Sequence, residues 1–396
     1  MDLSFGSRYA TFRESVRSFL ALHGASAPAV PPDLRALPTL RWQQRLLEHG
    51  YAGRAIPTRY GGYGATPDIL ETRIIAEEFA EAQVFPGLSG QGIMMLVPTL
   101  IEFGTEAQRE QFIAPTLRGD LIWCQGYSEP NAGSDLASLT TRAVLVGDEW
   151  VINGQKIWTS TAHLADWMFC LVRTELTSPK HLGISFLLLE MSTPGIEVRP
   201  LVTMTGDASF NEVFLTDVRI PATQIVGGRG EGWKIANALL SHERGMLGNP
   251  NVTLQRFNAL VDLFRQETID GRRLIDDPVW RERLLKLQGR MLALRCNDLR
   301  VLSGRLNDRS APLAAMLVKL EGTELRHEVE GLAIDALGEL GVLYRGSPLL
   351  RDQGLWQQHH MYFLGLIIGG GTSQIQKNII AERGLGMPRE PKLAAG

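Results

Sequence analysis

The sequence lacks the features of several large protein classes. Its three cysteines, Cys124, Cys170 and Cys296, are far apart, which excludes a disulfide framework and any CxxC metal or redox pair. The 40 basic residues are nearly balanced by 43 acidic ones, so we expect neither nucleic acid nor an acidic membrane surface as the main partner. No HExxH motif or Cys/His cluster occurs, and the adjacent His359 and His360 would point to different sides of a helix or strand. No metal centre is therefore predicted.

Long apolar runs are also missing from the N-terminus. The stretch MDLSFGSRYATFRESVRSFL interleaves Arg and Glu with apolar residues, which predicts an amphipathic first helix rather than a signal peptide or a membrane span. Together with the scattered cysteines, this favours a cytoplasmic protein without membrane insertion.

Hydrophobic periodicity divides the chain into three parts. Apolar residues recur at spacings of three and four up to about residue 120, in LRWQQRLLEHGY, DILETRIIAEEFAEA and PTLIEFGTEAQREQFIAPTLRGD, which predicts helices. The period then changes to two, and it returns to the helical value from about residue 229. We therefore predict an α+β chain with an N-terminal helical domain at 1–120, a middle β-domain at 121–228 and a C-terminal helical domain at 229–396.

The middle part contains the clearest strand signals. In EWVINGQKIWTS, β-rich residues flank Asn153-Gly154, a pair that is typical of a two-residue hairpin turn. Further strands are predicted at LGISFLLLEM and at FNEVFLTDVRIP, which ends at Pro221. Hairpin connections of this kind predict an antiparallel sheet.

Several short motifs resemble those of one enzyme family. Residues 127–138 read YSEPNAGSDLAS, and the motifs PTRYGGYG, INGQKIWTS, NEVFLTDVRIP, GEGW and GGTSQIQ are spread over almost the whole chain. In this order and spacing they resemble the acyl-CoA dehydrogenase family, flavoproteins that desaturate acyl-CoA thioesters. The resemblance implies an acyl-CoA dehydrogenase-like fold, whose C-terminal domain is of the four-helix-bundle type.

The resemblance also implies FAD, bound by the middle β-domain and the C-terminal helices in a tetramer whose neighbouring subunit completes the cofactor site. Tyr127 and Ser128 are then expected beside the flavin pyrimidine, Trp158 on one face of the ring, and Ser160 near flavin N5. The other expected cofactor-binding residues are Gln125, Thr159, Thr372 and Gln374. Hydroxyl groups and an aromatic plane suit a flavin, because they stabilise its charge and fix its ring.

Desaturation of a thioester needs a base for the α proton and hydrogen-bond donors for the carbonyl oxygen. Many members of the family place the base as a Glu directly before the Gly-Thr-Ser of the C-terminal motif, where this chain has Gly370. A second branch, with the isovaleryl and long-chain enzymes, places a Glu-Arg pair on the helix after the β-domain, and Glu243 and Arg244 match it. The resemblance thus implies Glu243 as the base and Gly370 as a backbone donor. It also implies that Ser134 and Arg244 bind substrate.

The residues around Glu243 are compatible with a base, but they leave an alternative open. The residues Trp233, Ala236, Leu240, Glu243 and Leu247 follow steps of three and four, so they share one helix face. Partial burial on such a face raises the pKa of a carboxylate toward neutral pH. The alternative is a solvated helix glutamate that is paired with a neighbour.

Two acidic residues depart from the family pattern. Glu267 lies four positions before Gly271, and many family members have at that position an Arg that reaches the FAD pyrophosphate. Asp335 stands at the position of the Gln in a Gln-x-Leu-Gly-Gly motif of the family, so a carboxylate replaces the amide side chain. How the pyrophosphate is held therefore stays open, with Arg272 or Arg273 as substitute cations.

The function that the resemblance implies is FAD-dependent α,β-desaturation of an acyl-CoA, with an electron-transfer flavoprotein or a similar acceptor as redox partner. Two alternatives stay open. One is a noncatalytic or partner-dependent subunit of a heteromeric acyl-CoA dehydrogenase, and the other is an oxygen-using oxidase or monooxygenase on the same fold. A homotetramer and a heterotetramer with a paralogue are both compatible with the sequence. The acyl chain, whether straight, branched, long or sterol-derived, is not fixed by it.

Overall fold

The computed structural model describes residues 6–29, 33–176, 179–248, 250–306 and 312–389. By its internal contacts the chain forms two compact units. The first unit comprises Met1–Leu201 and Ala208–Leu239, and the second comprises Val202–Asp207 and Leu240–Gly396. The short segment Val202–Asp207, which connects two β-strands, therefore belongs to the second unit.

Helices precede the sheet in the first unit. They are α1 (Ser7–His23), α2 (Leu37–Glu48), α3 (Ile69–Glu81), α4 (Val97–Phe103), which follows a π-helical turn at Gly92–Leu96, and α5 (Glu106–Arg118). The last predicted helical run is interrupted, because Gly104 is extended and Thr105 caps a new helix. The Thr105 hydroxyl accepts from the amide of Gln108, while the Gln108 side chain accepts from the amide of Thr105. This capping box satisfies amides that have no partner within α5.

Apolar packing and ion pairs hold these helices together. The buried core consists of Val16, Phe19, Leu20, Trp42, Leu46, Ile74 and Phe79. Glu78 of α3 is buried and accepts hydrogen bonds from Arg13 and Arg17 of α1. Burial alone would raise the pKa of Glu78, but the two arginines outweigh it and lower that pKa. A buried carboxylate with two cations is thus compatible with a stable helix pair.

The strands of the first unit form one sheet. They are β1 (Trp123–Gly126), β2 (Arg142–Val146), β3 (Glu149–Lys156), β4 (Trp167–Arg173), β5 (Ile184–Glu190), β6 (Ile196–Leu201), β7 (Phe210–Pro221) and β8 (Ile225–Val226). Their order is β6-β7-β3-β2-β4-β5-β8, and β1 pairs with β4. The predicted antiparallel pairing is correct for most neighbours, but β1 and β2 both pair in parallel with β4. Two parallel strands need a long connection between them. The connection between β1 and β4 contains the hairpin of β2 and β3.

The predicted hairpin turn at Asn153-Gly154 is wrong. β3 continues through both residues, and the chain instead reverses between β2 and β3, where Gly147 has a φ of 65°. Asn153 and Gly154 form a β-bulge against β7, in which the Asn153 side chain bonds to the amide and the carboxylate of Asp217. A Cβ on Gly154 would lie 2.5 Å from the Thr141 hydroxyl, so a side chain does not fit. Bulges and turns both use such residues, and here the cross-strand partner selects the bulge.

The strands predicted at LGISFLLLEM and FNEVFLTDVRIP are confirmed as β5 and β7. The buried thiols of Cys124 and Cys170 lie in the core of the sheet, while Cys296 is exposed in the second unit, and all three are free. Burial raises the pKa of both core thiols, that of Cys170 to about 11. Neither is a thiolate at neutral pH, so both act as small apolar side chains.

Helices dominate the rest of the chain. The elements are α6 (Gly232–Leu247), α7 (Pro250–Gln266), a two-stranded ribbon of β9 (Thr268–Ile269) and β10 (Arg272–Arg273), α8 (Pro278–Leu306), α9 (Pro312–Leu337), α10 (Leu355–Ile368) and α11 (Ser373–Ile379), which continues as a π-helical turn at Ile380–Gly384. Helices α7 to α10 share one apolar core. The α+β fold class with helical, β and helical domains is confirmed, whereas the boundaries after residues 120 and 228 stay predictions.

Three histidines of the second unit lie on α9 and α10 where these helices pack on each other, and two of them are in ring contact. The rings of His327 and His360 stack with their centroids 4.6 Å apart, and His359 Nδ1 lies 3.7 Å from a carboxylate oxygen of Glu330. Burial, and after it the neighbouring His360, lower the pKa of His327 despite the opposite effect of Glu328 and Glu330. His327 is therefore neutral at neutral pH.

We expect His327→Gln to weaken the loss of stability that the parent chain shows in mild acid. Because the pKa of His327 lies below its ordinary value of about 6.5 in the folded chain, protonation favours the unfolded state. Its stabilising contribution is complete above about pH 6.5 and is lost as the pH falls. Thermal denaturation at a series of pH values measures the slope. His181→Gln, which removes a histidine of the first unit, should keep the parent slope, and a parent-like slope in His327→Gln would contradict the prediction.

Candidate active site

A buried ion pair holds the segment that follows β1. Lys156, the last residue of β3, is fully buried, and its Nζ lies 2.8 Å from Glu129 Oε1 and 3.2 Å from the carbonyl oxygen of Tyr127. The amide of Ile157 donates to the carbonyl of Ser128 at 2.9 Å. The chain that leaves β1 is therefore tied to the end of β3 at three successive residues.

Both oxygens of the Glu129 carboxylate have partners. Oε2 accepts from the amide and the hydroxyl of Thr140 at 2.7 and 2.8 Å, and Oε1 accepts from the Thr141 amide at 2.9 Å as well as from Lys156. Burial alone would raise the pKa of Glu129, but the Lys156 ammonium and these donors outweigh it and lower the pKa to about 2. The carboxylate is therefore ionised at neutral pH and acts as an anchor rather than as a proton carrier.

The chain that leaves β3 forms a clamped loop at Trp158 and Thr159. Trp158 has a φ of 59°, a left-handed conformation that is rare for residues with side chains, and its indole is 58% exposed. Thr159 is fully buried. Its backbone amide donates to the Asn211 carbonyl at 3.0 Å, and its own carbonyl accepts from the side-chain Nδ2 of Asn211 at 2.9 Å. Asn211 on β7 thus clamps the loop, and an exposed aromatic side chain in a strained conformation is typical of a binding surface.

The loop fits the needs of a flavin. The hydroxyl of Thr159 is buried without a hydrogen-bond partner among the described residues, so it is available to a ligand. The exposed indole of Trp158 offers an aromatic plane, and the half-buried Ser128 and Ser160 offer hydroxyl groups nearby in the sequence. These residue types match the chemistry of FAD, which combines a flat ring with polar edges.

The predicted residues of the first unit divide into two groups. The contacts of Lys156 and Ile157 bring the segment at 125–128 close to the loop at 158–160. Within the first segment Tyr127 is buried and Gln125 is half-buried. The side-chain oxygen of Gln125 lies 3.5 Å from the side-chain Nε2 of Gln91. Ser134, in contrast, is exposed in the loop between β1 and β2 and takes no part in these contacts.

In the second unit, α10 ends in the glycine run of the C-terminal motif. Gly370 and Gly371 have φ values of 64° and 95°. Thr372 caps α11, because its hydroxyl accepts from the Ile375 amide at 3.2 Å, and Gln376 Nε2 donates to the Gly370 carbonyl at 2.9 Å. A Cβ on Gly371 would lie 2.7 Å from Gln376 Nε2. The run therefore needs glycine for its backbone conformation and for space.

The amide of Gly370 is a free backbone donor as far as the described residues show. Its carbonyl is bound by Gln376, while its N–H has no acceptor among the described residues. The hydroxyl of Thr372 accepts within the protein and keeps its own proton to donate, and Gln374 is exposed. The loop therefore offers the donors that an oxygen atom with negative charge requires.

Glu243 and Arg244 lie within α6, but their side chains are outside the described residues. The fully buried apolar side chains in the described part of this helix are Ile235, Ala236 and Leu239. Of the predicted stripe, Ala236 is thus buried, while Trp233 and Leu240 are only half-buried. In the described part of α6 the most buried face is rotated from the predicted stripe, whose last member, Leu247, has its side chain outside the described residues. The backbone of Glu243 follows that of Leu239 by one helical turn.

Glu267 and Asp335, the two acidic residues that depart from the family pattern, have arginine partners within the second unit. Arg351 Nε donates to Glu267, and Arg283 donates to Asp335. Arg273, one of the substitute cations for the pyrophosphate, pairs with a nearby aspartate at 2.8 Å. Neither Glu267 nor Asp335 therefore carries an uncompensated negative charge.

Two kinds of feature are not found within the described ranges. None of the helices there combines the length and the low polarity that crossing a bilayer requires. The same residues contain no group of three or more His, Cys, Asp or Glu side chains arranged to hold a metal ion.

Helical, β and helical domains in this order, with an aromatic and hydroxyl edge and a glycine loop, define a class of flavoprotein oxidoreductases. Three family models match the chain: acyl-CoA dehydrogenase N-terminal domain over residues 8–120, middle domain over 124–218 and C-terminal domain over 230–385. The chain belongs to the acyl-CoA dehydrogenase family, enzymes of lipid metabolism that generally bind FAD.

Individual relatives agree with this family. The chain is 40% identical over 377 residues to acyl-CoA dehydrogenase IpdE1 from Mycobacterium tuberculosis, which covers 94% of each chain. Among solved structures, it resembles the Tcur3481-Tcur3483 steroid ACAD with a TM-score of 0.81 and 29% identity, over 98% of this chain and 100% of that one. It also resembles the ChsE4-ChsE5 complex from Mycobacterium tuberculosis, with a TM-score of 0.80, 30% identity and the same coverage.

Three residues that fix candidate segments within their own units were not predicted from the sequence: Lys156 and Asn211 in the first unit and Lys319 in the second. Lys156 shares the inward face of β3 with Trp150 and Ile152. A charged residue at such a position is itself a signal, because it must find a buried partner. Asn211 and Lys319 bond to backbone atoms far away in the sequence, and no local pattern encodes such contacts.

Trp158→Asn is expected to weaken FAD binding without destabilising the flavin-free protein. Asparagine tolerates the left-handed conformation, so the substitution should relieve strain on the order of 1 kcal/mol while it removes the aromatic plane. Thermal denaturation of flavin-free protein and titration with FAD measure the two effects. Trp158→Phe keeps a ring and the strain, so it should bind FAD better than Trp158→Asn. A large drop in the melting temperature of Trp158→Asn would show instead that the indole is a packing residue.

Proposed function

We propose that the chain catalyses the α,β-desaturation of an acyl-CoA thioester with bound FAD. The observation that carries the proposal is the backbone of Gly370. Its amide N–H has no acceptor among the described residues, and its carbonyl is bound by Gln376, so the N–H is available to a thioester oxygen. Membership of the acyl-CoA dehydrogenase family supports the reaction class.

In this proposal the Glu243 carboxylate removes the α proton. The amide of Gly370 donates to the thioester oxygen, on which negative charge develops as the proton leaves. FAD, when bound, supplies the acceptor for the β hydrogen, and an electron-transfer flavoprotein or a similar acceptor takes the electrons away. Ser134 and Arg244 bind the substrate. The cofactor is bound by Gln125, Tyr127, Ser128, Trp158, Thr159, Ser160, Thr372 and Gln374.

The acyl group is inferred to be bulky and derived from a steroid. The support is the likeness to a solved steroid ACAD, at 29% identity over nearly the whole chain. The helix position of the base is compatible with this class, since related enzymes with that position include some that handle branched and sterol-derived chains.

A second candidate is a subunit that needs a nonidentical partner to act. Two solved relatives are named for pairs of chains, one as Tcur3481-Tcur3483 and one as the ChsE4-ChsE5 complex. Glu267 and Asp335 already have arginine partners. By the family resemblance, Glu267 stands where an Arg commonly reaches the FAD pyrophosphate of a neighbouring subunit, and Asp335 stands in a motif that supports the adenine half of FAD. A paralogue is therefore expected to supply those contacts in a heterotetramer.

Anaerobic titration of the purified chain with a panel of thioesters tests both candidates. The panel contains butyryl-CoA, palmitoyl-CoA, isovaleryl-CoA and the CoA thioester of a steroid carboxylic acid. The absorbance of oxidised flavin should bleach with the steroid thioester and not with butyryl-CoA. Hydrogen peroxide formed in air without an added electron acceptor would indicate an oxidase instead.

The outcomes separate the candidates. Bleaching by the chain alone supports the enzyme proposal. Bleaching only after coexpression with a paralogue supports the partner-dependent subunit. Bleaching by isovaleryl-CoA, with none by the steroid thioester, would contradict the bulky acyl group while leaving the reaction class intact.

A further inference from the structure

Lys319 is a buried cation of the second unit that the proposed chemistry does not use directly. It lies on α9 with only 1% of its surface exposed. Its Nζ donates to the carbonyl oxygen of Ile367 at 2.9 Å and to that of Gly371 at 2.7 Å. Ile367 belongs to the last turn of α10, and Gly371 belongs to the glycine run after it. One ammonium group thus joins the end of a helix to the loop that follows.

These partners explain why a lysine is stable in this place. The carbonyl groups in the last turn of a helix have no amide partner within the helix and carry the negative end of its dipole. Charge-assisted hydrogen bonds to carbonyl oxygens offset the cost of removing the ammonium from water. The Lys319 contacts therefore restrain the loop as much as they accommodate the charge.

Gly370 lies between the two carbonyl groups that Lys319 binds. Because Ile367 and Gly371 share one donor nitrogen, the ends of this short segment cannot move apart, and Gln376 fixes the carbonyl of Gly370 from the other side. Without such restraints, the backbone of a glycine run samples many conformations. Lys319 thus removes conformational freedom from the segment that carries the proposed donor to the thioester.

The same turn of α9 also supports the end of α6. A Cβ on Gly248 would lie 2.4 Å from the carbonyl oxygen of Val318, and a Cβ on Gly322 would lie 2.8 Å from the carbonyl oxygen of Gly248. Glycine at both positions allows the backbone after α6 to touch α9 beside Lys319. Since α6 carries Glu243, this turn of α9 contacts both segments to which the proposed function assigns a chemical role.

We propose that Lys319 is a positioning residue. Its ammonium holds the loop of Gly370 in the conformation that directs the amide to the thioester oxygen, on the turn of α9 that also receives the end of α6. The catalytic meaning of this inference rests on the proposed function. The restraint on the loop does not, so it can be measured without a substrate.

Hydrogen–deuterium exchange with mass spectrometry measures the restraint in the purified protein without added ligand. In Lys319→Met, which keeps most of the side-chain volume and removes the donors, peptides within 366–376 are expected to exchange about 10-fold faster or more. Lys319→Arg keeps a cation with several donors and should restore part of the protection. Thr323→Val is the matched control, because Thr323 is buried one turn further along α9 and its hydroxyl bonds to carbonyl oxygens of its own helix.

Enolisation of bound acetoacetyl-CoA gives a readout that a purely structural role would not change. The enolate of this thioester absorbs in the ultraviolet, and donors at its carbonyl oxygen stabilise it. In the holoenzyme, Lys319→Met is expected to raise the pH midpoint of enolate formation by about one unit, a 10-fold weaker stabilisation. Thr323→Val should leave the midpoint unchanged.

The results distinguish a failure of this inference from a failure of the proposed function. Parent-like exchange at 366–376 in Lys319→Met overturns the inference, and so does faster exchange with an unchanged enolisation midpoint. If the parent itself does not shift the enolisation of acetoacetyl-CoA from its value in solution, the proposed role of Gly370 fails, and the positioning role fails with it even when the loop exchanges faster. If Lys319→Met does not fold, Lys319→Gln replaces it in both measurements under the same criteria, because its shorter amide does not reach both carbonyl groups.

Discussion

Glu243→Gln is expected to slow α-proton removal from a bound acyl-CoA by about 10²- to 10⁴-fold, the range that a positioned general base contributes to such a step. Glutamine is nearly the same size as glutamate, so α6, which is helical from Gly232 to Leu247, should persist. The rate at which oxidised flavin absorbance bleaches after anaerobic mixing with the thioester reports the step.

Two controls separate the loss of a base from the loss of binding. Glu243→Asp keeps a carboxylate on the same helix, so it should be faster than Glu243→Gln although slower than the parent. The Kd of the thioester, measured by titration, should change little in Glu243→Gln, because the amide can occupy the same space. Bleaching at the parent rate in Glu243→Gln would assign proton removal to another group.

Lys156→Met is expected to lower the free energy of unfolding by about 3–5 kcal/mol, because it leaves the buried Glu129 carboxylate without its cation. The carbonyl of Tyr127 also loses a donor, so the segment with the predicted flavin contacts should loosen. Urea denaturation followed by tryptophan fluorescence measures the stability. Titration of the flavin-free protein with FAD measures the second effect.

The double variant Lys156→Met/Glu129→Gln should regain a large part of the lost stability, since the uncompensated charge is gone. Acid provides an independent check. The pKa of Glu129 is lowered to about 2 from an ordinary value of 4.5, so its stabilising contribution is complete above about pH 4.5 and is lost as the pH falls toward 2. The parent should therefore lose stability more steeply than the double variant in this window. Equal unfolding free energies of the single and double variants would show that the ion pair is not the cause.

Much of the fold could be predicted from the sequence because burial patterns are local. The segment GWKIANALLSHERGML forms α6 over its whole length, and the two central strand predictions are β5 and β7. The predictions failed where a partner decides the backbone. At Asn153 the cross-strand Asp217 selects a bulge over a turn, and β1 pairs in parallel because its partner β4 follows a long connection.

The candidate site could be predicted only as a set of motifs. Resemblance supplied the segments at 125–128, 158–160 and 370–374, but their relation to the rest of the chain depends on side chains outside them. Lys156 at the end of β3 reaches Glu129 in the segment after β1, and Lys319 reaches the glycine loop from a separate helix. Such contacts join residues that are distant in sequence, so hydrophobic period and propensity do not encode them.

The bond between Glu129 and Lys156 spans only 27 positions of the chain, which bears on the order of events during translation. Closing so short a loop costs little entropy, and contacts near in sequence form early. All strands of the large sheet are complete at Val226. A growing polypeptide on the ribosome can therefore assemble the part of the sheet that carries Tyr127 and Trp158 before Gly370 has been synthesised.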